Sequence, residues 1–257
     1  MVALVYLILL VLLSSMYELT DRQIKMLKSI IEEYINTAEP VGSETLERKH
    51  SLGVSPATIR NEMVTLTKNG FLKQPHTSAG RVPTPMALKF YIQNLMQQQE
   101  MSVTDEVKVK EKIWDFRQKH DKLLREATKA LADKTHFLAL STTSEGDLYY
   151  SGAANLLEML EFYDMVTTKN LLYVLDQFDF WWDLFAKDPY DNPYHVLFGE
   201  ELRQEKLSNC GMVYSLIHTP KLEGAIAVVG PTRMNFSYVI PVVSYFGNLL
   251  TEISNQW

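Results

Sequence analysis

Two sets of helix-capping signals stand close together in the first third of the chain and restrict its fold more than any other feature. Ser55-Pro56 predicts a helix start, because serine is a favoured N-cap residue and proline at the first helical position loses no hydrogen bond. Gly70 follows the predicted end of that helix. Gly42-Ser43 predicts a shorter helix before it, and Leu52–Val54 predicts a tight turn between the two. A short helix, a turn and a capped second helix are typical of a helix-turn-helix.

A further helix and a hairpin flank this motif. Thr20 and Gln23 have the spacing of a capping box, and apolar residues then recur at helical intervals as far as Ile35. Residues 71–74 and 81–83 have the pattern of two short strands, and a helix follows them. A hairpin directly after the second helix of a helix-turn-helix is the wing of a winged-helix domain. The sequence therefore predicts such a DNA-binding domain over residues 16–97.

The second helix of the motif presents a polar face that suits DNA. Ile59, Met63 and Leu66 share one face and are predicted to be core, so the opposite face is free to enter the major groove. Asparagine pairs well with adenine and arginine with guanine, and other basic residues neutralise phosphates. The residues expected to read base edges are Thr58, Arg60, Asn61 and Thr65. All predicted DNA contacts together are Ser55, Ala57, Thr58, Arg60, Asn61, Thr65, Lys68, Lys73, His76, Thr77, Ser78 and Arg81.

Two alternatives stay open for these residues. A helix-turn-helix also occurs as a protein-binding or purely structural unit, and each cation taken alone is equally an ordinary solvated charge. His76, at the tip of the predicted hairpin, is consistent with a phosphate or minor-groove contact and also with an ordinary turn residue.

The charge of the chain is unevenly divided. The net charge is -6, yet the residues from Arg48 to Met96 include seven basic residues and one acid, Glu62. The residues from Gln97 onward include 15 basic and 23 acidic residues. A basic segment joined to an acidic remainder suggests a module that binds a polyanion. A solvated basic face explains the charge equally well, so charge supports DNA binding only together with the helix-turn-helix.

The apolar run Val2–Leu13 precedes the predicted domain. It is shorter than the roughly 20 residues that span a bilayer, and no basic residue precedes it as in a secretion signal. We favour Met16 as the true start, with residues 1–15 as a mis-assigned leader. A membrane tether and a hydrophobic arm that packs on the protein are the alternatives, and a cleaved secretion signal is the least favoured.

Several segments resemble the family of the heat-inducible transcription repressor HrcA. The resemblance extends over nearly all residues after Met16, and the longest motifs occur in the family's order. These segments are Glu39–Ser43, Leu52–Asn61, Gln74–Thr84, Asn155–Phe162 and Gly230–Phe236.

The resemblance implies a cytoplasmic bacterial repressor that binds double-stranded DNA. It further implies a homodimer on an inverted-repeat operator upstream of chaperone operons, a GAF-like C-terminal half that mediates dimerisation, and control by the chaperonin. Full family members are longer. The missing stretch is expected between Leu140 and Tyr149, where Ser141–Asp147 would make a short polar link. The shorter length concerns the expected dimer and its control by the chaperonin more than the expected DNA binding.

The second half is predicted to be a mixed helix and strand domain. A linker and long helix are assigned to residues 98–136, with one helix from Val107 to about Lys134, and the GAF-like domain to residues 137–257. Strands are expected near residues 137–140, 196–200, 212–217 and 225–229, with a hairpin around Thr219-Pro220. A final helix is expected from Pro241 to about Ile253. The fold class is therefore α+β, an N-terminal winged helix-turn-helix followed by a GAF-like α+β domain.

Two segments of this half have both a structural and a functional interpretation. Phe178–Trp182 is interpreted as a buried helix, with a ligand pocket or an interface as the alternative. Gly230–Met234 is interpreted as a structural turn, because it lacks the spacing of a phosphate-binding loop.

The sequence contains no arrangement that indicates catalysis, a metal or a cofactor. The single cysteine, Cys210, cannot form an internal disulfide, and no Cys/His cluster has the spacing of metal ligands. We therefore expect no enzyme activity. The alternatives to a heat-shock repressor are a ligand-sensing regulator, a membrane-tethered regulator, and a protein-interaction module without DNA binding.

Overall fold

A computed structural model describes residues 19–50, 52–186, 192–204 and 207–256. The chain divides into two compact units, one ending at Met96 and the other beginning at Gln97. The predicted leader, residues 1–15, and the expected start at Met16 lie outside the described residues. Within the described ranges, no helix is long and apolar enough to cross a membrane.

Over its described residues, the N-terminal unit contains four helices and a two-stranded antiparallel hairpin. The Thr20 side chain and the Gln23 side chain form the reciprocal bonds of a capping box at the start of the first helix. Ser55 caps the third helix, with Pro56 at its first position. Both starts lie where the sequence predicts them. The elements are α1 (Asp21–Thr37), α2 (Ser43–His50), α3 (Pro56–Lys68), β1 (Leu72–Lys73), β2 (Val82–Pro83) and α4 (Pro85–Asn94).

The helices of this unit share a hydrophobic core. α1, α3 and α4 each bury one apolar stripe, and burying an aliphatic side chain stabilises a fold by about 1.5–3 kcal/mol. The core therefore fixes which face of α3 points outward. The buried residues include Met26, Leu27, Ile30, Ile31, Leu46, Ile59, Met63, Leu66, Leu88 and Ile92.

The C-terminal unit is built on a five-stranded antiparallel sheet with the order β4-β3-β7-β6-β5. β6 and β7 form a long hairpin around Thr219, as predicted. The elements are α5 (Val103–Trp114), α6 (His120–Thr135), β3 (Leu138–Thr143), β4 (Leu148–Ser151), α7 (Met165–Leu175), α8 (Phe178–Phe185), β5 (His195–Phe198), β6 (Cys210–His218), β7 (Glu223–Pro231) and α9 (Phe236–Ser254). Short 3-10 helices cover Ala153–Glu158, Leu160–Tyr163 and Gly199–Leu202.

Helices cover both faces of this sheet. On one face, Trp181 of α8 and Leu140 of β3 belong to the same buried cluster. On the other face, the hydroxyl groups of Thr128 in α6 and Ser141 in β3 lie 2.7 Å apart in a buried hydrogen bond. The chain is therefore a mixed helix and strand protein, which confirms the α+β class predicted from the sequence.

The predicted single helix from Val107 to Lys134 is wrong, because the structure has two helices there. α5 begins within the predicted linker, capped by Ser102, and ends at Trp114. The chain then turns back, and Lys112 of α5 pairs with Asp133 of α6 at 2.7 Å. Folding back buries an apolar stripe on both helices, which one straight helix would leave exposed.

The predicted start of the last helix at Pro241 is also wrong, since α9 begins at Phe236 and contains Pro241 in its interior. Proline has no N–H to donate to the carbonyl four residues earlier, which belongs to Ser237. The backbone N–H of Gln99 donates to that carbonyl at 2.8 Å instead. A distant segment thus replaces the missing helical bond.

The predicted polar link at Ser141–Asp147 is mostly strand and turn. Ser141 and Thr142 are fully buried within β3, where they pair with β4 and β7. The Thr143 hydroxyl donates to an Asp147 carboxylate oxygen at 2.9 Å, and Gly146 adopts φ +100° in the turn. Hydrogen bonds satisfy the strand backbone and the Ser141 hydroxyl, whereas the buried Thr142 Oγ1 has no hydrogen-bond partner among the described residues.

The structure places both segments that have alternative interpretations, and of the aromatic side chains in the first, Trp181 is buried while Phe178, Phe180 and Trp182 are half-buried. Phe178–Trp182 lies in α8, where the buried Trp181 donates its Nε1–H to the carbonyl of Val174 at 2.8 Å. Of Gly230–Met234, the first two residues end β7 and the other three lead toward the last helix, where Arg233 pairs with Glu161 at 2.5 Å.

Candidate nucleic-acid interface

Helix α3 turns its polar face to solvent. Its buried residues are Ile59, Met63 and Leu66, the three that the sequence assigns to the core. The residues that are exposed on the other side are Ala57, Arg60, Asn61, Val64, Thr65 and Lys68. Five of these six are predicted DNA contacts, so the structure brings them together on one accessible surface.

Val64 belongs to the same surface but is missing from the predicted contacts. It is 37 % exposed and lies one turn from both Arg60 and Lys68. Its position opposite the core face could have identified it, since apolar side chains contact the methyl group of thymine in the major groove.

Two predicted contacts at the start of α3 are engaged with each other. The Thr58 backbone N–H donates to the Ser55 Oγ at 3.3 Å, and the two hydroxyl groups lie 3.0 Å apart. Thr58 is half-buried and Ser55 is exposed. Ser55 therefore serves as the helix cap and is exposed beside the N-terminal end of α3.

The one acid of α3 is held by α1. Glu62 accepts hydrogen bonds from Nε and Nη2 of Arg22 at 3.0 and 2.5 Å, and from Nε2 of Gln23 at 2.9 Å. Glu62 is half-buried, whereas the Arg22 side chain is 53 % exposed. The negative charge beside the predicted DNA face is thus balanced by a cation 40 residues away in sequence.

The contacts between Glu62 and α1 were not predicted from the sequence. The sequence assigns Gln23 to the capping box alone, yet its Oε1 accepts a hydrogen bond from the Thr20 backbone N–H and its Nε2 donates one to Glu62. Spacing within one helix cannot reveal a partner on another helix.

Strand β1 and the loop after it present four further predicted contacts. Lys73, His76, Thr77 and Ser78 are all exposed. The Gln74 side-chain amide donates to the carbonyl of Thr77 at 2.8 Å and to that of Ala79 at 3.0 Å, which closes the loop from inside. The hairpin therefore holds four polar side chains on an ordered tip.

Arg81 differs from the other predicted cations, because its guanidinium binds protein groups. Its Nε–H donates to Oγ1 of Thr67 in α3 at 3.1 Å, and the residue is half-buried. Its backbone exchanges two hydrogen bonds of 2.9 Å with Val41. Gly80 approaches Val41 so closely that a Cβ at Gly80 would lie 2.4 Å from the Val41 carbonyl oxygen. These contacts fasten the hairpin to both α3 and the segment before α2.

Lys49, another basic residue of the segment from Arg48 to Met96, pairs with an acid of α1. Lys49 of α2 donates to Glu33 of α1 at 2.5 Å, and a ring nitrogen of His50 lies 3.4 Å from the same carboxylate. The hydrogen bond from Lys49 lowers the pKa of Glu33, against the opposing effect of burial. This pair joins α2 to α1, so the charge of Lys49 is not added to the exposed face of α3.

The described residues contain no group of three or more His, Cys, Asp or Glu side chains placed to hold a metal. Burial raises the pKa of the Cys210 thiol to about 12, so it is not ionised near neutral pH. A cavity of about 210 Å³ between the β3–β4 and β6–β7 turns is smaller than most small-molecule sites.

Comparison with known proteins identifies the family. A sequence profile described as "HrcA protein C terminal domain" matches residues 63–240, which is more than half of the chain. The chain belongs to the HrcA family. The heat-inducible transcription repressor HrcA of Pelotomaculum thermopropionicum is 27 % identical over 339 aligned positions, which cover 92 % of this chain and 97 % of that protein. The protein of the same name from Acetivibrio thermocellus is 30 % identical over 245 positions, which cover 93 % of this chain and 65 % of the relative.

The HrcA family comparison also bears on length and fold. The alignment with the Pelotomaculum protein has more positions than the 257 residues of this chain, so that relative has residues without a counterpart here. A crystal structure described as that of a hypothetical protein has a TM-score of 0.73 and 19 % identity, and covers 93 % of this chain and 99 % of that one. That likeness shows a shared fold.

Proposed function

We propose that residues 19–96 of this HrcA-family chain form a winged-helix domain that binds double-stranded DNA, with α3 in the major groove and the β1–β2 hairpin as the wing. The observation that carries the proposal is the exposed face of α3. It combines Arg60, Asn61, Thr65 and Lys68 while the acid of that helix, Glu62, is bound by Arg22. Such a face attracts phosphates and offers donors and acceptors to base edges.

The chain is a transcription repressor of heat-shock genes, the function that the names of its HrcA relatives state. We infer that it acts in the bacterial cytoplasm as a homodimer on an inverted-repeat operator, with the chaperonin as its controlling partner. A two-fold dimer would place one α3 in each half-site. The C-terminal unit, which we regard as GAF-like, would supply the dimer contacts.

Roles within the site follow from the contacts. Arg60, Asn61, Val64 and Thr65 would face base edges, whereas Lys68, Lys73, His76, Thr77 and Ser78 would contact the backbone. Ser55, Ala57 and Thr58 would lie beside the phosphate nearest the start of α3. For Thr58 this replaces the base-reading role predicted from the sequence, because its hydroxyl and backbone N–H contact Ser55. Arg81 acts mainly through Thr67 and is a positioning residue.

We place the shortening of this chain at the β3–β4 turn. The Thr143 backbone donates to the Asp147 carbonyl at 3.1 Å, and Gly146 donates back to Thr143 at 3.2 Å. A turn of this kind joins two antiparallel strands without further residues. An insertion at that point would enlarge the protein without disturbing the pairing of the strands.

The test is selection of duplexes from a random library by the full chain, followed by titration of the selected duplex over a range of salt. We expect recovery of a two-fold symmetric site and an affinity that falls steeply as salt increases. A scrambled duplex of the same composition is the control. Equal binding to both duplexes, or no salt dependence, would contradict the proposal.

A further inference from the structure

Helix α7 and the segments before it leave an apolar surface exposed on the C-terminal unit. Eight large apolar side chains between residues 150 and 173 are 43–76 % exposed. Monomeric proteins rarely expose a contiguous apolar patch of more than a few hundred Å² unless it binds a partner. We call the eight together the α7 surface; they are Tyr150, Leu157, Leu160, Tyr163, Met165, Val166, Leu172 and Tyr173.

Helical spacing joins the α7 members of this surface into one stripe. Met165 and Leu172 are seven residues apart, as are Val166 and Tyr173, so both pairs lie on one face of α7. The opposite face of the helix is buried against the rest of the unit. The stripe is therefore a helix face without a partner among the described residues.

Acidic residues flank the stripe at both ends. Between residues 148 and 186 the chain has six acids and one base, Lys169. Asp164 directly precedes α7 and Asp176 directly follows it, and both are exposed. Among the described residues, both carboxylates accept hydrogen bonds from neutral groups alone, namely backbone N–H groups and hydroxyls. Their negative charges are therefore free to attract an external cation.

The charges along the exposed side of α7 follow the order negative, positive, negative. Lys169 is exposed and lies four residues from both Met165 and Tyr173, so it belongs to the stripe itself. Asp164 and Asp176 lie on either side of it, about 18 Å apart along the helix axis. A partner helix that complements this face has a cation near each end and an acid between them.

The same charge order disfavours two other occupants. A second copy with its α7 antiparallel would place Asp164 opposite Asp176 and Lys169 beside Lys169, and a parallel copy would place each charge beside its own counterpart. Like charges brought together at an interface oppose binding. An anionic lipid surface attracts basic segments, so a segment with six acids and one base is not suited to it.

We propose that the α7 surface binds an amphipathic helix of a different protein, one with an apolar stripe and a Lys or Arg near each end of that stripe. The apolar stripes pack side by side, as in other complexes that bind a helix along an apolar face. Two cations about eleven residues apart lie on one face of such a helix, and the span between them is about 17 Å, which matches the separation of Asp164 and Asp176. The inference goes beyond the proposed function, which assigns α7 no role.

A synthetic helical peptide of this chemistry is the probe. It has about 15 residues with leucines at helical spacing, lysines about eleven residues apart and a glutamate midway between them. Fluorescence anisotropy of the labelled peptide with the full chain should give a dissociation constant on the order of 10 μM. A peptide with both lysines replaced by glutamate is the matched control and should bind at least about tenfold more weakly, because like charges then meet.

Variants of the full chain test the apolar contact. Val166→Asp/Tyr173→Asp should weaken binding of the lysine peptide at least about tenfold, because carboxylates would be placed in the apolar contact. Val103→Asp/Val107→Asp is the matched control, since these valines are exposed on α5, outside the α7 surface, and should leave binding unchanged. Unchanged thermal melting of both variants shows that each is folded.

A charge exchange gives a second readout that keeps the apolar stripe intact. Asp176→Lys should weaken binding of the lysine peptide several-fold, and a peptide with glutamate in place of one end lysine should regain that loss. The end at which the exchange succeeds also gives the direction of the bound helix. Asp121→Lys, on an exposed acid of α6, should have no such effect.

Absence of binding, equal binding of the lysine and glutamate peptides, or binding that Val166→Asp/Tyr173→Asp leaves unchanged overturns the inference. Two further results would also overturn it by assigning the surface to another occupant. One is a dimer in sedimentation velocity that this double variant dissociates, and the other is binding of the wild type to phosphatidylserine vesicles that the double variant abolishes.

Discussion

The Nε–H of Arg81 donates a hydrogen bond to Oγ1 of Thr67 over 3.1 Å, which joins the base of the hairpin to the last turn of α3. Thr67 in turn donates to the carbonyl of Met63, a core residue of that helix, at 2.7 Å. The hairpin and the exposed face of α3 are therefore held in one fixed relation. If Arg81 positions the hairpin in this way, its replacement should have a different effect from the loss of a direct phosphate contact.

Replacing Arg81 tests that distinction. Arg81→Ala should lower DNA affinity and cost about 1 kcal/mol of stability, because the hairpin loses its bond to α3. The dependence of log affinity on log salt should keep its slope, since no phosphate contact is removed. Lys73→Ala is the control, and it should reduce the slope by about one. A similar reduction in Arg81→Ala would instead assign Arg81 to the DNA backbone.

Asn61 and Lys73 should separate specificity from general affinity. Asn61→Ala should weaken binding to the selected duplex by about 1–3 kcal/mol and leave random DNA unaffected, because it removes a base contact. Lys73→Ala should weaken binding to both duplexes alike. Fluorescence anisotropy with each duplex measures the effect. Equal losses on both duplexes from both variants would refute this division of roles.

Val64 should contact a thymine methyl group in the major groove. Replacing single thymines of the selected duplex by uracil should lower the affinity of the wild type about fourfold at one position in each half-site, since a buried methyl contributes about 0.8 kcal/mol. Val64→Ala should be insensitive at that position. Thr65→Ala is the neighbouring control and should keep the wild-type response. A flat uracil scan with the wild type would rule out this contact.

Arg22 should influence DNA binding without touching DNA. Arg22→Ala leaves the Glu62 carboxylate without its cation beside the phosphates, so we expect affinity to fall several-fold at low salt. The free energy of unfolding should change by less than about 1 kcal/mol, because the pair is partly exposed. In a Glu62→Gln background the same change should have little effect. Lys28→Ala, which breaks the α1 pair with Glu32, is the control.

Glu33 should make the stability of the N-terminal unit sensitive to acid. The Lys49 ammonium holds the pKa of Glu33 below its ordinary value of 4.5, so the folded state favours the carboxylate more than the unfolded state does. This stabilisation is present above the unfolded pKa and is lost as pH falls through the lowered one. Chemical unfolding at a series of acidic pH values should show a smaller pH dependence for Glu33→Gln than for the wild type. Glu32→Gln, on the half-buried neighbour, should follow the wild type.

Features that depend on neighbouring residues, such as helix caps, could be predicted from the sequence. The caps at Thr20 and Ser55, the proline at the first position of α3 and the glycine after its end all act on backbone groups within four residues. The core face of α3 follows from helical periodicity alone. These features are decided by neighbours in sequence, which is why their positions agree with the structure.

Features that depend on contacts between elements distant in sequence could not be predicted. Glu62 pairs with Arg22, 40 residues away, and Arg81 donates a hydrogen bond to Thr67 on another element. Pro241 fits inside α9 because Gln99 supplies the hydrogen bond that proline prevents. The fold-back between α5 and α6 follows from burial of both apolar stripes.

The sequence by itself determined the helix starts of the N-terminal unit, the buried face of α3 and the family resemblance, because short-range backbone chemistry and residue order are written in it. Only the tertiary structure decided which charges are free and which are paired, and which apolar side chains stay exposed. Charge pairing and burial are properties of three-dimensional neighbours, and those neighbours are set by the packing of whole elements.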